Sequence, residues 1–263
     1  MSILKQGHKY LPMPHDGKVI RRIYRGGRCY YYIASPYSPE ATQALKAAFP
    51  AYWTAISDYG YAHPQLVPFI NEDPMLIVSL VETGKTRWLV GDGASYFNTG
   101  VTLNQANGSH IRMKMQWLSF ATNGYQVNGW GNNPQIGAFV QNGKAYWQNF
   151  ATGKEELQVG KTYDVTLDLT QAKSVLRCDG FSDLVAGSAT SPNDWDFLLF
   201  CMTTNGTDRV NFANEAVGVA EVGGKHFVPY RDPSTGEMEL LDIVTLTLAT
   251  RVGTFTEIIE DKQ

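Results

Sequence analysis

Two pairs of carboxylates stand at a spacing that could serve acid–base chemistry on a sugar. Residues i and i+2 of a strand project from the same face, and retaining glycosidases need two carboxyl groups about 5–5.5 Å apart. Asp194 and Asp196 form one such pair, and Glu237 and Glu239 form the other. Each pair adjoins a turn-forming segment, where carboxylates are usually solvated. We therefore expect polar turns at both places and no enzyme, with a glycan-degrading site as the alternative.

Other catalytic patterns are missing from the sequence. It contains no nucleophile elbow, no zinc-protease helix motif and no phosphate-binding loop, and its five histidines are scattered. The three cysteines, Cys29, Cys178 and Cys201, cannot complete a disulfide framework and lack the spacing of metal ligands. They are predicted to be buried, unreactive thiols.

A segment rich in aromatic and amide side chains predicts sugar binding. Sugars stack their apolar ring faces on aromatic rings and pair their hydroxyls with amides. Residues 123–133 hold Tyr125 and Trp130 among five amide side chains, and Tyr146 and Trp147 follow on the next predicted hairpin. The alternative is that the asparagines serve turns and that Trp147 fills the core. The predicted glycan-binding residues are Tyr125, Asn128, Trp130, Asn132, Asn133, Tyr146 and Trp147.

Positive charge is concentrated at the start of the chain. Residues 1–34 contain seven basic side chains and one acidic one, a local charge of +6, whereas the remainder carries 15 basic and 24 acidic groups, a local −9. The basic segment predicts docking on an acidic partner surface, and a solvated strand face is the alternative. The net charge of −3 gives no reason to expect a nucleic-acid partner. The predicted docking residues are Lys18, Arg21, Arg22, Arg25 and Arg28.

The chain divides into three predicted parts that position these residues. Residues 1–34 alternate strand-forming runs with a glycine turn, which predicts a short β-meander that anchors the protein on a partner. Residues 35–87 predict a short helical spacer and connector. Residues 88–263 carry repeated Asn-Gly and Asp-Gly pairs, which suit tight hairpins, between runs that alternate apolar and polar side chains. That pattern predicts antiparallel sheets with one buried face each, as in a sandwich or jelly roll.

The spacer contains recognisable helix signals. Ser38 is a predicted N-cap, with Pro39 at the first helical position. A second helix is expected over Ala51–Tyr59, ended by Gly60. One strand is expected at Met75–Val81. No run of the chain approaches the ~20 apolar residues that a membrane helix needs.

Four short segments of the chain carry a resemblance to a known fold family: Asp92–Val101, Phe227–Asp232, Gly236–Val244 and Gly253–Phe255. They resemble the opening and closing strands of concanavalin A-like, laminin-G-like jelly rolls. Domains of that kind recur in bacteriophage structural proteins and gut-bacterial surface proteins. Leu241 stands where the family usually has tyrosine, and the Phe-Tyr pair expected after Val244 is missing. The resemblance covers about Trp88 to Glu257 and implies a concanavalin A-like antiparallel β-sandwich there. With the short N-terminal β-meander and the small helical segment predicted above, the chain is expected to be mainly β.

Calcium is implied by this resemblance alone, because several such sandwiches bind it through loop oxygens. Asn193, Asp194 and Asp196 would be the ligands. The chain has no Asp-x-Asp-x-Asp-Gly loop, so an ordinary polar turn is expected there and no cofactor is predicted.

The segment Asp16–Gly27 resembles the short meanders that open phage tail and virion appendage proteins. The first nine residues lack the apolar stretch of a secretory signal, which fits a virion protein made in the host cytoplasm. Together the resemblances imply a head fibre, decoration or tail-associated subunit whose lectin-like domain binds host or mucus glycans. Such proteins are commonly homo-oligomers, often trimers, that contact other virion proteins through the N-terminal region and insert into no membrane.

Three other functions stay open at this point. A bacterial surface lectin or adhesin module is the first, and a glycan depolymerase with non-standard carboxylates is the second. The third is a purely structural sandwich that has no ligand.

Overall fold

The computed structural model describes residues 14–15, 18–19, 22–25, 28–32, 35–102, 109–120, 124–130, 136–141, 144–147, 155–169, 173–187, 196–204, 208–210 and 214–262. Side chains are described for residues 35–102, 109–120, 156–168, 175, 177–183, 185, 196–201 and 214–262. The chain divides into two compact units, Met1–Ile77 (unit 1) and Val78–Gln263 (unit 2).

The predicted N-terminal meander forms two antiparallel hairpins in unit 1. The first pairs Pro14–His15 (β1) with Lys18–Val19 (β2). The second pairs Arg22–Arg25 (β3) with Arg28–Tyr32 (β4). The strand prediction for this segment is confirmed.

Helix α1 (Pro39–Ala48) begins where the sequence predicts. Ser38 is its N-cap, and the Ser38 hydroxyl accepts a hydrogen bond from the backbone N–H of Ala41 at 3.1 Å. Pro39 fills the first helical position, where a missing N–H has no consequence. Ala41 and Leu45 are buried, so packing of one apolar face holds the helix in place.

The predicted end of the second helix is wrong. Helix α2 (Trp53–Ala62) runs through Gly60, because this glycine serves packing and does not terminate the helix. A β-carbon at Gly60 would lie 2.6 Å from the Tyr37 ring. The Tyr37 hydroxyl donates to the carbonyl oxygen of Ile56 at 2.6 Å, and burial raises the pKa of Tyr37. The helix therefore needs its smallest residue where the tyrosine crosses it.

The strand predicted at Met75–Val81 is also wrong. The chain forms a 3₁₀ turn at Pro74–Leu76 and then helix α4 (Ile77–Leu80). The Asp73 carboxylate accepts from the backbone N–H of Met75 at 3.2 Å, so helix capping overrides the β-propensity of the apolar run. The other short elements are α3 (Val67–Glu72) and 3₁₀ turns at Pro50–Tyr52 and Pro64–Leu66. Among the described residues, no helix has the length and apolarity to cross a membrane.

Unit 2 is built of strands. Within the described residues they are β5 (Lys85–Gly91), β6 (Tyr96–Thr102), β7 (Ser109–Trp117), β8 (Gly124–Trp130), β9 (Ile136–Gln141), β10 (Lys144–Trp147), β11 (Glu155–Glu156), β12 (Thr162–Leu169), β13 (Lys173–Cys178), β14 (Leu184–Gly187), β15 (Asp196–Leu199), β16 (Met202–Thr204), β17 (Asp208–Val210), β18 (Glu215–Val222), β19 (Lys225–Arg231), β20 (Met238–Asp242), β21 (Thr247–Leu248), β22 (Thr250–Val252) and β23 (Phe255–Asp261).

These strands form two sheets. Ten of the described strands make sheet A, in the order β14-β13-β12-β7-β18-β19-β20-β21, with β5 beside β18 and β23 beside β5. Nine make sheet B, in the order β11-β10-β9-β8-β15-β6-β22, with β16 beside β8 and β17 beside β16. The pairing is antiparallel except between β8 and β16, which run parallel.

The core lies between the two sheets. In β7 of sheet A, Ile111, Met113, Met115 and Trp117 are all fully buried, as their period-two spacing predicts. They belong to one cluster with residues of sheet B such as Phe97. Each large apolar side chain buried in this way stabilises the fold by about 1.5–3 kcal/mol. The predicted antiparallel β-sandwich is confirmed.

Two of the family-like motifs meet in space. The turn at Asp92–Ser95 lies against the segment Gly253–Phe255 near the end of the chain. The backbone N–H of Thr254 donates to Ser95 Oγ at 2.9 Å, a contact between residues 159 positions apart. The Asp92 carboxylate accepts from two backbone N–H groups of its own turn, each at 2.8 Å. The motifs therefore join the first and last parts of the sandwich.

Asp242, in a third motif, closes the turn between β20 and β21. Its fully buried carboxylate accepts from the backbone N–H groups of His226 at 2.9 Å and Val244 at 3.1 Å. The Thr245 hydroxyl donates to its second oxygen at 2.5 Å. Leu241, the residue before it, is also fully buried. This aspartate is thus a structural turn residue.

The two described cysteines are expected to resist thiol reagents. Cys178 and Cys201 are both buried, and burial raises the pKa of Cys178 to about 12. Because the thiolate is the reactive form, we expect both to react with DTNB at neutral pH only after denaturation. A Cys29→Ser variant restricts the count to these two thiols, and rapid colour development in its folded form would contradict the expectation.

Candidate functional site

The first carboxylate pair contributes one described residue. Asp196, at the start of β15, accepts from Asn98 Nδ2 at 2.9 Å through one oxygen and from the Thr102 hydroxyl at 3.3 Å through the other. Asp194 lies outside the described residues. Asp196 therefore ties β15 to β6 within sheet B.

The second carboxylate pair is held by a single arginine. Arg251 Nε lies 2.8 Å from Glu239 Oε1, and Arg251 Nη1 lies 3.6 Å from Glu237 Oε2. The Glu239 side chain is only 11% exposed. An ion-paired carboxylate in this setting serves to join β20 to β22.

The displaced pKa values among the described carboxyl groups all lie below the ordinary range. At Asp92 and Glu257 burial is the largest single influence on the pKa, and it raises the pKa. For Asp92 several hydrogen bonds together outweigh burial, and for Glu257 hydrogen bonds and nearby cations do so. In the other three, hydrogen bonding to the carboxylate comes first. A glycosidase acid needs the opposite shift, since it must stay protonated. The five groups with a lowered pKa are Glu82, Asp92, Asp168, Asp232 and Glu257.

A metal centre is not formed by the described side chains: in that part of the chain, no three His, Cys, Asp or Glu residues are grouped to hold an ion. Of the calcium candidates, Asn193 and Asp194 lie outside the described residues. Asp196 directs both carboxylate oxygens to the side-chain donors of β6.

The glycan-binding candidates lie mainly on two strands of sheet B. Tyr125, Asn128 and Trp130 are in β8, and Tyr146 and Trp147 are in β10. Only the backbone of these strands is described. Asn132 and Asn133, the remaining candidates, lie outside the described residues.

The register of sheet B aligns three aromatic positions. Tyr125 of β8 is directly opposite Phe139 of β9, and Phe139 is directly opposite Tyr146 of β10. Tyr146 in turn is opposite Glu156 of β11. We call the positions of Tyr125, Phe139 and Tyr146 the aromatic row. Directly opposed positions share one face of a sheet, so the row is continuous across three strands.

The neighbouring strand β15 shows which face carries this row. Phe197 and Leu199 belong to the core cluster, whereas Leu198 between them does not. Leu198 is directly opposite Gly129 of β8. Since positions two apart on a strand share a face, Gly129 and Tyr125 both lie on the face turned away from the core.

The other end of the row gives the same result independently. Glu156, opposite Tyr146, is exposed. The next residue, Leu157, is buried in the core cluster. The aromatic row therefore lies on the face of sheet B opposite the core. This face is exposed at Glu156 of β11 and fully buried at Leu198 of β15.

The remaining candidates occupy alternate positions. Asn128 and Trp130 are displaced from Tyr125 by odd numbers of residues along β8, and Trp147 is adjacent to Tyr146 on β10. Positions an odd number of residues apart on a strand lie on opposite faces, so Asn128, Trp130 and Trp147 are on the face of sheet B that carries the core. Register thus brings together Tyr125 and Tyr146, and it adds Phe139 and Glu156, which the sequence analysis did not single out. Cross-strand pairing is the signal that identifies them.

The predicted docking residues lie on the N-terminal hairpins. Lys18 is in β2, Arg22 and Arg25 are in β3, and Arg28 is in β4. Arg21 lies outside the described residues. Arg25 and Arg28 are directly opposite each other in the second hairpin. Like charges at directly opposed positions destabilise a strand pair.

No protein-family model matches the chain, and no curated protein matches it. Among solved structures the chain is similar to domains LG4-5 of the mouse laminin alpha1 chain, with a TM-score of 0.34, 11% identity, and 60% of this chain and 44% of that chain covered. The LG1-3 region of the laminin alpha2 chain matches with a TM-score of 0.37, 13% identity, and 64% and 34% covered.

An alginate lyase, AlgAT5 from Polysaccharide Lyase family 7, matches with a TM-score of 0.32, 12% identity, and 51% and 62% covered. The chain thus spans less than two thirds of the length of each of these three proteins.

Proposed function

We propose that this chain is a structural appendage protein of a bacteriophage virion, such as a head fibre, decoration protein or tail-associated subunit, with unit 2 as a non-catalytic glycan-binding domain. The hairpins within residues 1–34 anchor it on an acidic surface of another virion protein. The copies form a homo-oligomer, with a trimer as the expected form. Several weak glycan sites in one assembly then gain affinity through avidity.

The aromatic row is the observation that carries the glycan-binding proposal. Neighbouring strands lie about 4.8 Å apart, so three adjacent strands extend over about 10 Å. That length is comparable to two linked hexose units. A sugar chain laid across the strands would meet one aromatic position at each strand, and aromatic rings are the groups on which apolar sugar faces stack.

The described carboxylates support binding in preference to cleavage. Glu237 and Glu239 share Arg251, and Asp196 is hydrogen-bonded through both oxygens. Each displaced carboxyl pKa in this part of the chain is lowered, which favours permanent anions over proton donors.

The N-terminal hairpin supports the anchoring proposal. Arg25 and Arg28 face each other in register, inside a segment whose local charge is +6. An acidic partner surface relieves their repulsion and also steers the encounter. Replacing both arginines with glutamine should therefore weaken attachment to the particle and leave unit 2 folded.

Loss of one aromatic position tests glycan binding. Tyr146→Ala and Tyr125→Ala are each expected to weaken binding to an immobilised glycan panel by about tenfold, because each removes one stacking platform worth about 1.4 kcal/mol. Tyr52→Ala, at a partly exposed tyrosine of unit 1, is the matched control and should bind like the wild type. Circular dichroism and thermal unfolding confirm that each variant is folded. Wild-type binding that survives both substitutions would rule out the row as the site.

Mass spectrometry of purified particles from a phage that encodes this chain tests the virion proposal. Many copies per particle are expected. Recovery only from host membrane fractions would instead favour a bacterial surface lectin, and release of new reducing ends from a bound glycan would favour a depolymerase.

A further inference from the structure

His226, the second residue of β19, lies on the face of sheet A turned away from the core. The next residue, Phe227, belongs to the core cluster, and successive side chains of a strand point to opposite faces. The His226 side chain is partly buried. Its Nε2 atom is buried and, within the described residues, has no hydrogen-bond partner. This setting favours the neutral ring, because a charged imidazole needs partners for both of its N–H groups.

Charged groups on β7, β18 and β20 act on this ring. Glu221 of β18 is directly opposite His226, and Asp242 is the last residue of β20. Arg112 of β7 has its Nη1 atom 3.5 Å from Glu221 Oε1. Burial is the largest influence on the pKa of His226 and, together with Arg112, lowers it below the ordinary 6.5, although the two carboxylates raise it.

The backbone of His226 holds the turn that follows β20. Its N–H donates to Asp242 Oδ1 at 2.9 Å, and its carbonyl oxygen accepts from the N–H of Ile243 at 2.9 Å. The same Asp242 oxygen accepts from the N–H of Val244 at 3.1 Å. Movement of His226 toward water therefore breaks hydrogen bonds on which the turn depends.

The turn has little burial of its own to hold it. Val244 is 62% exposed and Leu248 is 45% exposed. Leu246 has φ = 60°, a left-handed conformation that is strained for a leucine. Among the described strands, β21 pairs only with β20, through two residue pairs. A segment with few buried contacts opens at a lower free energy than the core of the sheet.

We infer that His226 makes this turn acid-sensitive: protonation of the imidazole releases residues 243–248, including β21, from β20. In the released state the ring reaches water, which solvates the charge and supplies partners for both N–H groups. Because the folded state favours the neutral ring, the released state binds more protons below about pH 6.5, the ordinary pKa of histidine. The turn is therefore most stable above that pH and weakens as pH falls from it toward the lowered pKa of the folded state.

Amide hydrogen exchange of the full chain, measured by mass spectrometry at pH 7 and pH 5 and corrected for intrinsic exchange rates, tests this release. A histidine that stays neutral when folded lowers the closing equilibrium constant by at most about 25-fold over this range. In the wild type, residues 243–248 are expected to exchange about 3- to 25-fold faster at pH 5. Residues 111–117 of β7 are the internal reference and should change by less than about twofold.

Two variants assign the effect. His226→Gln keeps a polar side chain that does not titrate, so exchange of residues 243–248 should change by less than about twofold between the two pH values. His110→Gln is the matched control on the same sheet. His110 is exposed, with its Nδ1 2.7 Å from Asp168 Oδ1, and this variant should keep the wild-type response to acid.

Equal acceleration in the wild type and His226→Gln would overturn the inference, and so would acceleration that extends to β7. If His226→Gln does not fold, NMR titration of the His226 ring in the wild type provides an independent test. A midpoint below about pH 6.5 supports the inference, and a midpoint at or above that value overturns it.

Discussion

Gly253→Ala is expected to lower the free energy of unfolding of unit 2 by about 2–5 kcal/mol, the sum of a backbone and an overpacking penalty. Gly253 has φ = 88°, a left-handed conformation that an L side chain rarely adopts. Its new β-carbon would also lie 2.6 Å from the β-carbon of Ser95 and 3.1 Å from the Ser95 α-carbon. Rotation of the Ser95 side chain moves neither of these carbon atoms, so the clash is relieved only by a shift of the backbone.

Gly236→Ala is the control that isolates the backbone penalty. Gly236 has φ = 73°, and nothing lies within 4 Å of the position a β-carbon would take. It should lose only about 1–2 kcal/mol, the penalty of the left-handed conformation. Urea unfolding of the wild type and both variants measures the difference. If the two variants lose the same free energy of unfolding, the close approach to Ser95 does not contribute to the loss in Gly253→Ala.

A second substitution makes the contact itself testable. Ser95→Gly removes the hydroxyl and β-carbon nearest to the new methyl group, so adding it to Gly253→Ala should recover part of the lost stability. The single variant Ser95→Gly should be destabilised, because the Thr254 backbone N–H then loses its acceptor. Ser95→Gly should therefore destabilise the wild type and stabilise the Gly253→Ala variant. This reversal is expected when two residues interact directly.

Local patterns account for the parts of the fold that the sequence predicts correctly. The alternation through Ile111, Met113 and Met115 requires only that one face of a strand be buried. The cap at Ser38 depends on residues within one helical turn. In contrast, the apolar run at Met75–Val81 suits either a strand or a helix, and the cap from Asp73 decides between them. The prediction that Gly60 ends a helix is wrong because the side chain that requires a glycine there, Tyr37, lies outside the helix.

The candidate site could be predicted only in part for a related reason. Tyr125 and Tyr146 stand in segments whose composition already suggests sugar binding. Phe139 and Glu156 join them only through the pairing of β8, β9, β10 and β11. A shift of one residue in any pairing would turn these positions to the opposite face. Register depends on the whole sheet, so no local pattern in the sequence reveals the row.

Glu257→Gln is the second substitution expected to have a large effect. The side chain of Arg87 is completely buried, and its Nη2 and Nε lie 2.7 Å and 2.8 Å from Glu257 Oε2. Arg231 Nη2 lies 2.5 Å from the other carboxylate oxygen. Removing the negative charge breaks the ion pair between Glu257 and the buried guanidinium of Arg87, and breaking a buried pair by removing one partner costs about 3–5 kcal/mol.

Asp261→Asn is the matched control on the same two strands. Asp261 Oδ1 lies 2.6 Å from Lys85 Nζ, but the Asp261 side chain is 85% exposed. Water screens this pair, so its loss should change stability by less than about 1 kcal/mol. Similar losses for both substitutions would show that burial of Arg87 does not govern the strength of the pair.

Acid should remove the difference between wild type and Glu257→Gln. Burial alone would raise the pKa of Glu257, but the hydrogen bond from Arg231 and the charge of Arg87 together lower it. A carboxyl group with a lowered folded-state pKa stabilises the protein fully above its unfolded-state pKa of about 4.3, and this contribution is lost as pH falls through the folded-state value. Urea unfolding at pH 7, 5, 4 and 3 should therefore show the two proteins converging below about pH 5. A gap that stays constant over this range would place the effect of Glu257 in side-chain packing and not in its charge.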